Sequence, residues 1–343
     1  MESQAGVWHQ VWCCMTEYLS NKFRWLSLVA TWAVVCIHSR TDRWAVGVED
    51  YATKVEASIA DLFHFAVPLF FVISGYMFVN SFNKYGWLLL LKRKVRALYI
   101  PMVLWCVVCL ALCLPIKIYS GKDVPTIIDA IKPIFMVFPA GTVHFWYVRA
   151  LIVLFAFAPV IFYLARRPWV ALLLLVGALL IPADSVAAHL HVPVATIFFI
   201  MGVQLSVHSS RFQKMPAIGF LVSLVGLALS FSFKIQITEH YFSVLCEPIF
   251  MIGILWFGYD LVNEIRSIGK FPEKFEVLFF VYCMHIIMLC WCGGLMRVML
   301  GNSPTMRLVG YFALWMTFWL DVAIANIVRR RCPRAFSILS GGR

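Results

Sequence analysis

The chain of 343 residues is 62% hydrophobic and only 13% charged, whereas a soluble domain carries about a quarter charged residues, so a water-soluble globular fold is excluded. A net charge of +12 would suit nucleic acid if the basic side chains lined one face, but they fall in short clusters between apolar runs, which marks membrane topology and excludes a nucleic-acid partner. The eleven cysteines, most of them within apolar runs (Cys106, Cys109, Cys113, Cys290, Cys292), have neither the spacing of zinc ligands nor the setting of a disulfide framework.

In chain order, Trp8, Val11, Trp12, Met15 and Leu19 recur at helical spacing and predict an interfacial amphipathic helix over 1–20. Glu2 and the lack of a basic leader argue against a cleavable signal peptide. Cys13 and Cys14 sit where acylation would place a lipid, with no other feature supporting it. A membrane domain over 21–331 follows, an all-α bundle of about ten transmembrane helices, and 332–343 reads as a basic cytoplasmic tail. The spans are predicted near 23–39, 61–80, 97–116, 144–164, 169–183, 193–208, 216–234, 242–262, 277–299 and 308–328, each approaching the roughly 20 apolar residues a bilayer needs. With both termini inside, 19 Lys and Arg fall in cytoplasmic loops and 9 in outer loops, with Arg149 left inside a span. That is the asymmetry of a multi-pass protein in a bacterial-type cytoplasmic membrane. The longest outer connections, 40–60 and 117–143, are long enough to cap a site.

Ionisable side chains within spans are costly and face a protein interior or a watery cavity. His38 closes the first span and reads either as a general base for a hydroxyl or as an interfacial histidine. Asp61 and His64 open the second from the same side, where Asp61 is a helix-start carboxylate or a partner for an imidazole. Ser74-Gly75, in the middle of that span, is a small pair that permits close helix approach. Lys92-Arg93-Lys94-Val95-Arg96 either orients the third span or holds a phosphate-bearing ligand. His144, Trp146 and Arg149 open the fourth span, with Arg149 about 7.5 Å deeper than His144, where it needs an anionic or carbonyl partner. Tyr282 and His285 lie three apart on one face of the ninth. Glu247, Asp260 and Asp321, with Glu239 and His240 at an outer end, complete the set.

In this order and on these spans, His38, Phe70-Phe71-x-x-Ser74-Gly75, Arg93 and Arg96 before Pro101, Trp146 with Arg149, and Tyr282 with His285 resemble the acyltransferase 3 family over nearly the whole chain. The tryptophan-led segment is similar to the branch that modifies surface polysaccharides. The family pattern places an arginine eleven residues before its first histidine; Ser27 stands there instead. Arg24, three residues earlier, lies about 40° from His38 around a helix and is the candidate replacement.

The resemblance implies transfer of an acyl group, commonly acetyl, from coenzyme A at the cytoplasmic face to a saccharide hydroxyl handled outside. His38, Arg149 and Trp146 would then be catalytic. Arg24, Arg93, Arg96, Ser74, Tyr282 and His285 would contact the donor, and Asp61, His64 and His144 the acceptor. Acyl-CoA is the donor substrate, and no resident cofactor or metal is implied. The partners are the acyl-CoA, a saccharide and the lipid bilayer; nothing in the sequence sets an oligomeric state. His38 lies about 16 Å along a helix from Ser27 and about 21 Å from Arg24, which predicts a polar path through the bundle. A transporter of polysaccharide or lipid-linked glycan, or a catalytically silent family member with a binding role, is the alternative.

Overall fold

The computed structural model describes residues 17–42, 49–119, 143–165, 167–179, 192–208, 215–234 and 240–342. The interfacial helix expected over 1–20 falls almost wholly outside the described residues, as do Cys13, Cys14, Glu239, residues 43–48 of the first long outer connection and residues 120–142 of the second. Every regular element among the described residues is helical.

The helices are α1 (Glu17–His38), α2 (Tyr51–Phe63), α3 (Ala66–Tyr85), α4 (Trp87–Lys94), α5 (Ile100–Tyr119), α6 (Trp146–Ala156), α7 (Ala158–Ala165), α8 (Pro168–Leu179), α9 (Val192–Val207), α10 (Pro216–Lys234), α11 (His240–Ile265), α12 (Leu278–Leu300), α13 (Pro304–Trp315), α14 (Thr317–Arg331) and α15 (Pro333–Leu339). Five stretches among the described residues are long and apolar enough to cross a membrane: Tyr51–Tyr85, Trp87–Cys113, Leu245–Ile265, Leu278–Leu300 and Pro304–Arg331. α6 and α7 make a sixth if taken as one span bent by 77°. α9 and α10 contribute shorter apolar helices. The first expected span is present as α1 but is not among the five. Phe23, Leu26, Ala30, Ala33, Val34 and Val35 are all buried, and a helix packed within protein needs less hydropathy than one facing lipid.

By their contacts these helices form two compact units interleaved in sequence: residues 1–28, 68–91 and 154–271, and residues 29–67, 92–153 and 272–343. In the first, Phe78 meets the rings of Phe82, Phe155, Phe162 and Phe199 at 5.3, 5.9, 6.3 and 5.4 Å. α3 and α9 approach backbone to backbone. A Cβ on Gly75 would lie 2.0 Å from the Phe199 carbonyl oxygen, and one on Gly202 2.0 Å from that of Val72. The Ser74-Gly75 pair is therefore a packing notch, as its small size foreshadows. Gly75→Ala and Gly202→Ala should each cost about 1–3 kcal/mol by overpacking, read as a lower unfolding temperature in detergent. Equal stability of either variant with the parent would refute this contact.

The break between α6 and α7 has a covalent cause. Pro159 has no N–H for the Phe155 carbonyl; the Trp87 indole Nε1 donates to that oxygen instead, at 3.3 Å. The span expected over 144–164 bends here for that reason. At the other end of the first unit, Lys22 is 2% exposed and its ammonium donates to both Asp260 oxygens at 2.7 and 2.8 Å, although in sequence it reads only as an orienting charge. The Tyr18 hydroxyl donates to the same carboxylate, and Nζ stands 4.2 Å from the Trp256 ring centroid.

In the second unit α12 packs against α5, α13 and α14. Trp105 meets Phe280 edge-on at 4.8 Å, and Phe280 stacks on Phe336 at 5.3 Å. The stretch expected as a basic tail thus contains a docked helix, α15, whose Leu339 carbonyl accepts from the Trp105 indole at 3.0 Å. Between α4 and α5 the chain makes a π-helical turn, Val95–Tyr99. Pro101 cannot donate to the Ala97 carbonyl, so the helix widens there. That oxygen lies against Gly341, whose φ of +73° and lack of a Cβ both suit the approach.

On the far side of α1, the Thr41 amide and hydroxyl donate to the two Glu56 oxygens at 2.7 and 2.5 Å. Thr41 Oγ1 also reaches the Arg307 carbonyl at 3.4 Å. The Arg307 guanidinium, fully buried, pairs with Asp50, which caps α2 by accepting from the Thr53 amide at 3.0 Å. The Thr53 amide, aided by Arg307, holds the Asp50 carboxyl below its ordinary value.

Candidate active site

α12 carries Tyr282 and His285 one turn apart on its buried half. The His285 ring is completely buried, and its Nδ1 lies 2.6 Å from the Tyr282 carbonyl oxygen. The Tyr282 hydroxyl donates to the backbone carbonyl of His144, in the short 3-10 turn Val143–Phe145 that leads into α6. This bond brings the turn to α12. The ring of His144, 7% exposed, meets that of His285 at 5.5 Å and 85°. His38, the last residue of α1, meets His285 from another direction at 5.3 Å and 39°. Phe145 and Tyr147 pack their rings on Tyr282 at 6.3 and 6.1 Å.

Arg149 follows on α6 and is 4% exposed. It lies within electrostatic range of His144 and Tyr282, so a permanent cation stands near the His144 imidazole and the Tyr282 phenol. Trp146 is half-buried one turn before it. Two ring nitrogens, His144 Nε2 and His285 Nε2, are buried with no hydrogen-bond partner among the described residues. Buried polar groups are ordinarily satisfied, so these are places where a bound group would complete the bonding. Among the described residues no set of three His, Cys, Asp or Glu is arranged to hold a metal ion.

The structure thus gathers the half-buried His38 with the buried His144, Arg149, Tyr282 and His285 in one cluster of the second unit. In sequence they read as three separate groups. Asp61 and His64 pair with each other at 3.4 Å across one turn of α2, with side chains 46% and 55% exposed. Arg93 and Arg96 are exposed on the end of α4 and the π-helical turn. Arg24 and Ser74 belong to the first unit; Arg24 is exposed on α1, and Ser74 and Ser27 are half-buried. Sequence reading does not find Thr41, Glu56 or the buried pairing of Arg307. Their partners lie 15 to 266 positions away, and no local pattern marks them.

No curated protein and no solved structure matches the chain. A family model described as an acyltransferase domain matches residues 21–325. With nearly the whole described bundle inside that match, the chain belongs to the acyltransferase 3 family and is a multi-pass membrane acyltransferase.

Proposed function

We propose that the protein transfers an acetyl group from cytoplasmic acetyl-CoA to a hydroxyl of a cell-surface or lipid-linked saccharide, as an O-acetyltransferase of the polysaccharide-modifying branch. The observation that carries this reading is the clustering of three histidines with Arg149, of which His144, His285 and Arg149 are buried and His38 is half-buried. It offers a base, a fixed cation and two ring nitrogens with no hydrogen-bond partner among the described residues. The proposed topology has ten spans in a bacterial-type cytoplasmic membrane, with both termini inside.

In this scheme the exposed Arg93 and Arg96 take the coenzyme's phosphates as charge-assisted donors, and the exposed Arg24 serves in place of the arginine replaced by Ser27. Ser74, Tyr282 and His285 are assigned to the donor, and Asp61, His64 and His144 to the acceptor. His38 accepts the hydroxyl proton as the oxygen attacks the thioester carbonyl. The Arg149 guanidinium and Trp146 indole stabilise the oxyanion. As the C–S bond breaks, the proton on His38 passes to the departing thiolate, leaving coenzyme A as the thiol.

The test is transfer of label from [14C]acetyl-CoA to glycan in membrane vesicles from cells producing the full chain. His38→Ala should lower transfer by about 10²-fold or more, the usual contribution of a general base. Full activity in that variant, or movement of unmodified glycan without label, would overturn the assignment in favour of transport. Arg24→Ala with unchanged KM for acetyl-CoA would remove Arg24 from the scheme.

A further inference from the structure

α15, read in sequence only as part of a basic tail, is a docked helix with contacts on two sides. Its Phe336 ring is buried and stacks on Phe280 of α12 at 5.3 Å, two residues before Tyr282. Its Leu339 carbonyl accepts from the Trp105 indole of α5 at 3.0 Å, and the Trp105 ring stands edge-on to Phe280 at 4.8 Å. The chain then turns. The Ser340 hydroxyl donates to the Phe336 carbonyl at 2.6 Å, and the Gly342 amide reaches back to the Ser337 carbonyl at 2.7 Å. This brings Gly341, at a φ of +73°, against the Ala97 carbonyl of the π-helical turn Val95–Tyr99. Ala97 lies in that turn and Trp105 on the helix that follows it, so α15 and its closing glycine bridge the two.

We propose that α15 and Gly341 are positioning elements for the acyl donor, holding the π-helical turn so that Arg96 meets a coenzyme phosphate at a fixed distance from Tyr282 and His285. This rests on the donor roles proposed above for Arg96, Tyr282 and His285. π-helical turns are rare and recur at functional sites. This one leaves Arg96 exposed, one residue before the carbonyl that Gly341 covers. A guanidinium recognises phosphate through a planar fork of N–H donors, so the backbone that carries it must be held for both bonds to form. Gly341 holds the turn at Ala97, and Leu339 holds the following helix through Trp105. The turn cannot shift without moving α15. That helix is in turn seated on Phe280, which shares α12 with Tyr282 and His285. One short helix therefore touches both elements to which the donor is assigned, the one at its phosphates and the one at its thioester. No side chain of α15 has to contact the donor itself.

Two adjacent glycines separate this role from general loosening of the fold. Gly341 and Gly342 have φ of +73° and +78°, so alanine is strained alike at either position. A Cβ on Gly341 would lie 2.0 Å from the Ala97 carbonyl oxygen, whereas one on Gly342 meets nothing within 4 Å. With the full-length protein in the vesicle assay, Gly341→Ala should raise KM for acetyl-CoA by about tenfold or more, the size of a lost hydrogen bond to a charged group. Its kcat should stay within about twofold of the parent, as loss of binding alone requires. Gly342→Ala should keep the parental KM. Trp105→Phe keeps a ring against Phe280 but cannot donate to Leu339, and should raise KM by about fivefold. Calorimetric titration of coenzyme A into the detergent-solubilised protein, counted per folded molecule, should give the same order of affinities without turnover. A parental KM in Gly341→Ala, or in Trp105→Phe if the glycine variant does not fold, would overturn the inference. So would an equal rise in the two glycine variants, or a fall in kcat at parental KM. Arg96→Gln with parental KM would remove the donor contact and this inference with it. A raised KM in Arg96→Gln beside parental values in Gly341→Ala and Trp105→Phe would sink the role of α15 alone and leave the donor assignment standing.

Discussion

Replacing Asp260 by Ala should cost the fold about 3–5 kcal/mol, because it strands a buried cation. Lys22 is 2% exposed, and both Asp260 oxygens lie within 2.8 Å of its ammonium. The ring of Trp256 covers another side of the charge, which attracts a cation but cannot replace a carboxylate. The Tyr18 hydroxyl would lose its acceptor as well. The paired substitution Lys22→Met with Asp260→Leu removes both charges and should recover most of the loss, since well-packed apolar side chains replace buried ion pairs at little cost. Denaturant unfolding of detergent-solubilised protein, followed by tryptophan fluorescence, separates the two. If single and double variants lose the same stability, lost packing and not a stranded charge is the cause. Asn21, next to Lys22, ties the same end of α1 to the Tyr259 hydroxyl and to the backbone of Gly269 and Phe271. The expected damage is therefore a local opening between α1 and α11 that precedes global unfolding.

This ion pair also marks where sequence reading reaches its limit. The apolar runs predicted helices well: α1, α3, α5, α9, α10, α11 and α12 each cover most of an expected span, because a backbone in hydrocarbon must satisfy its own hydrogen bonds and leaves few other choices. Breaks were less visible. The bend at Pro159 and the π-helical turn before Pro101 have their cause written in the chain, yet a window of hydropathy averages over them. Faces were least visible. Lys22 sits in a loop-like cluster with Arg24, and only the fold shows that one side chain turns inward to Asp260 while the other is exposed. The motifs bearing His38, Arg149 and His285 were legible in order, but order does not say which helix turns toward which. That His38 and His144 both meet His285 is a property of α1, α12 and the turn before α6 together. Gly75 shows the converse: its size alone announced close packing, and α9 supplies the partner.

Glu56→Ala is expected to damage activity more than its cost in stability alone would explain. Thr41 lies three residues beyond His38, and its amide and hydroxyl both donate to the fully buried Glu56 carboxylate. Hydrogen bonds to charged groups contribute about 1.5–3 kcal/mol each. Losing both, with the Thr41 amide left buried and unsatisfied, should cost about 3 kcal/mol or more. The mechanical effect falls on the end of α1. Ser39 turns its hydroxyl back to the Val35 carbonyl at 2.7 Å, so the turn closing the helix is held from within at that point and from outside by Glu56. Without the carboxylate the last turn can fray, and His38 moves with it. A shift of about 1 Å in a base costs about 10²-fold in rate, so transfer per folded molecule should fall by that order. Glu56→Gln keeps one acceptor oxygen for the Thr41 amide and should lie between parent and Ala in both properties. Thr41→Ser retains both donors and should behave as the parent. Unfolding curves measured beside label transfer per folded protein decide the matter. If Glu56→Ala unfolds more easily yet transfers at the parental rate while folded, α1 holds His38 in place without this carboxylate.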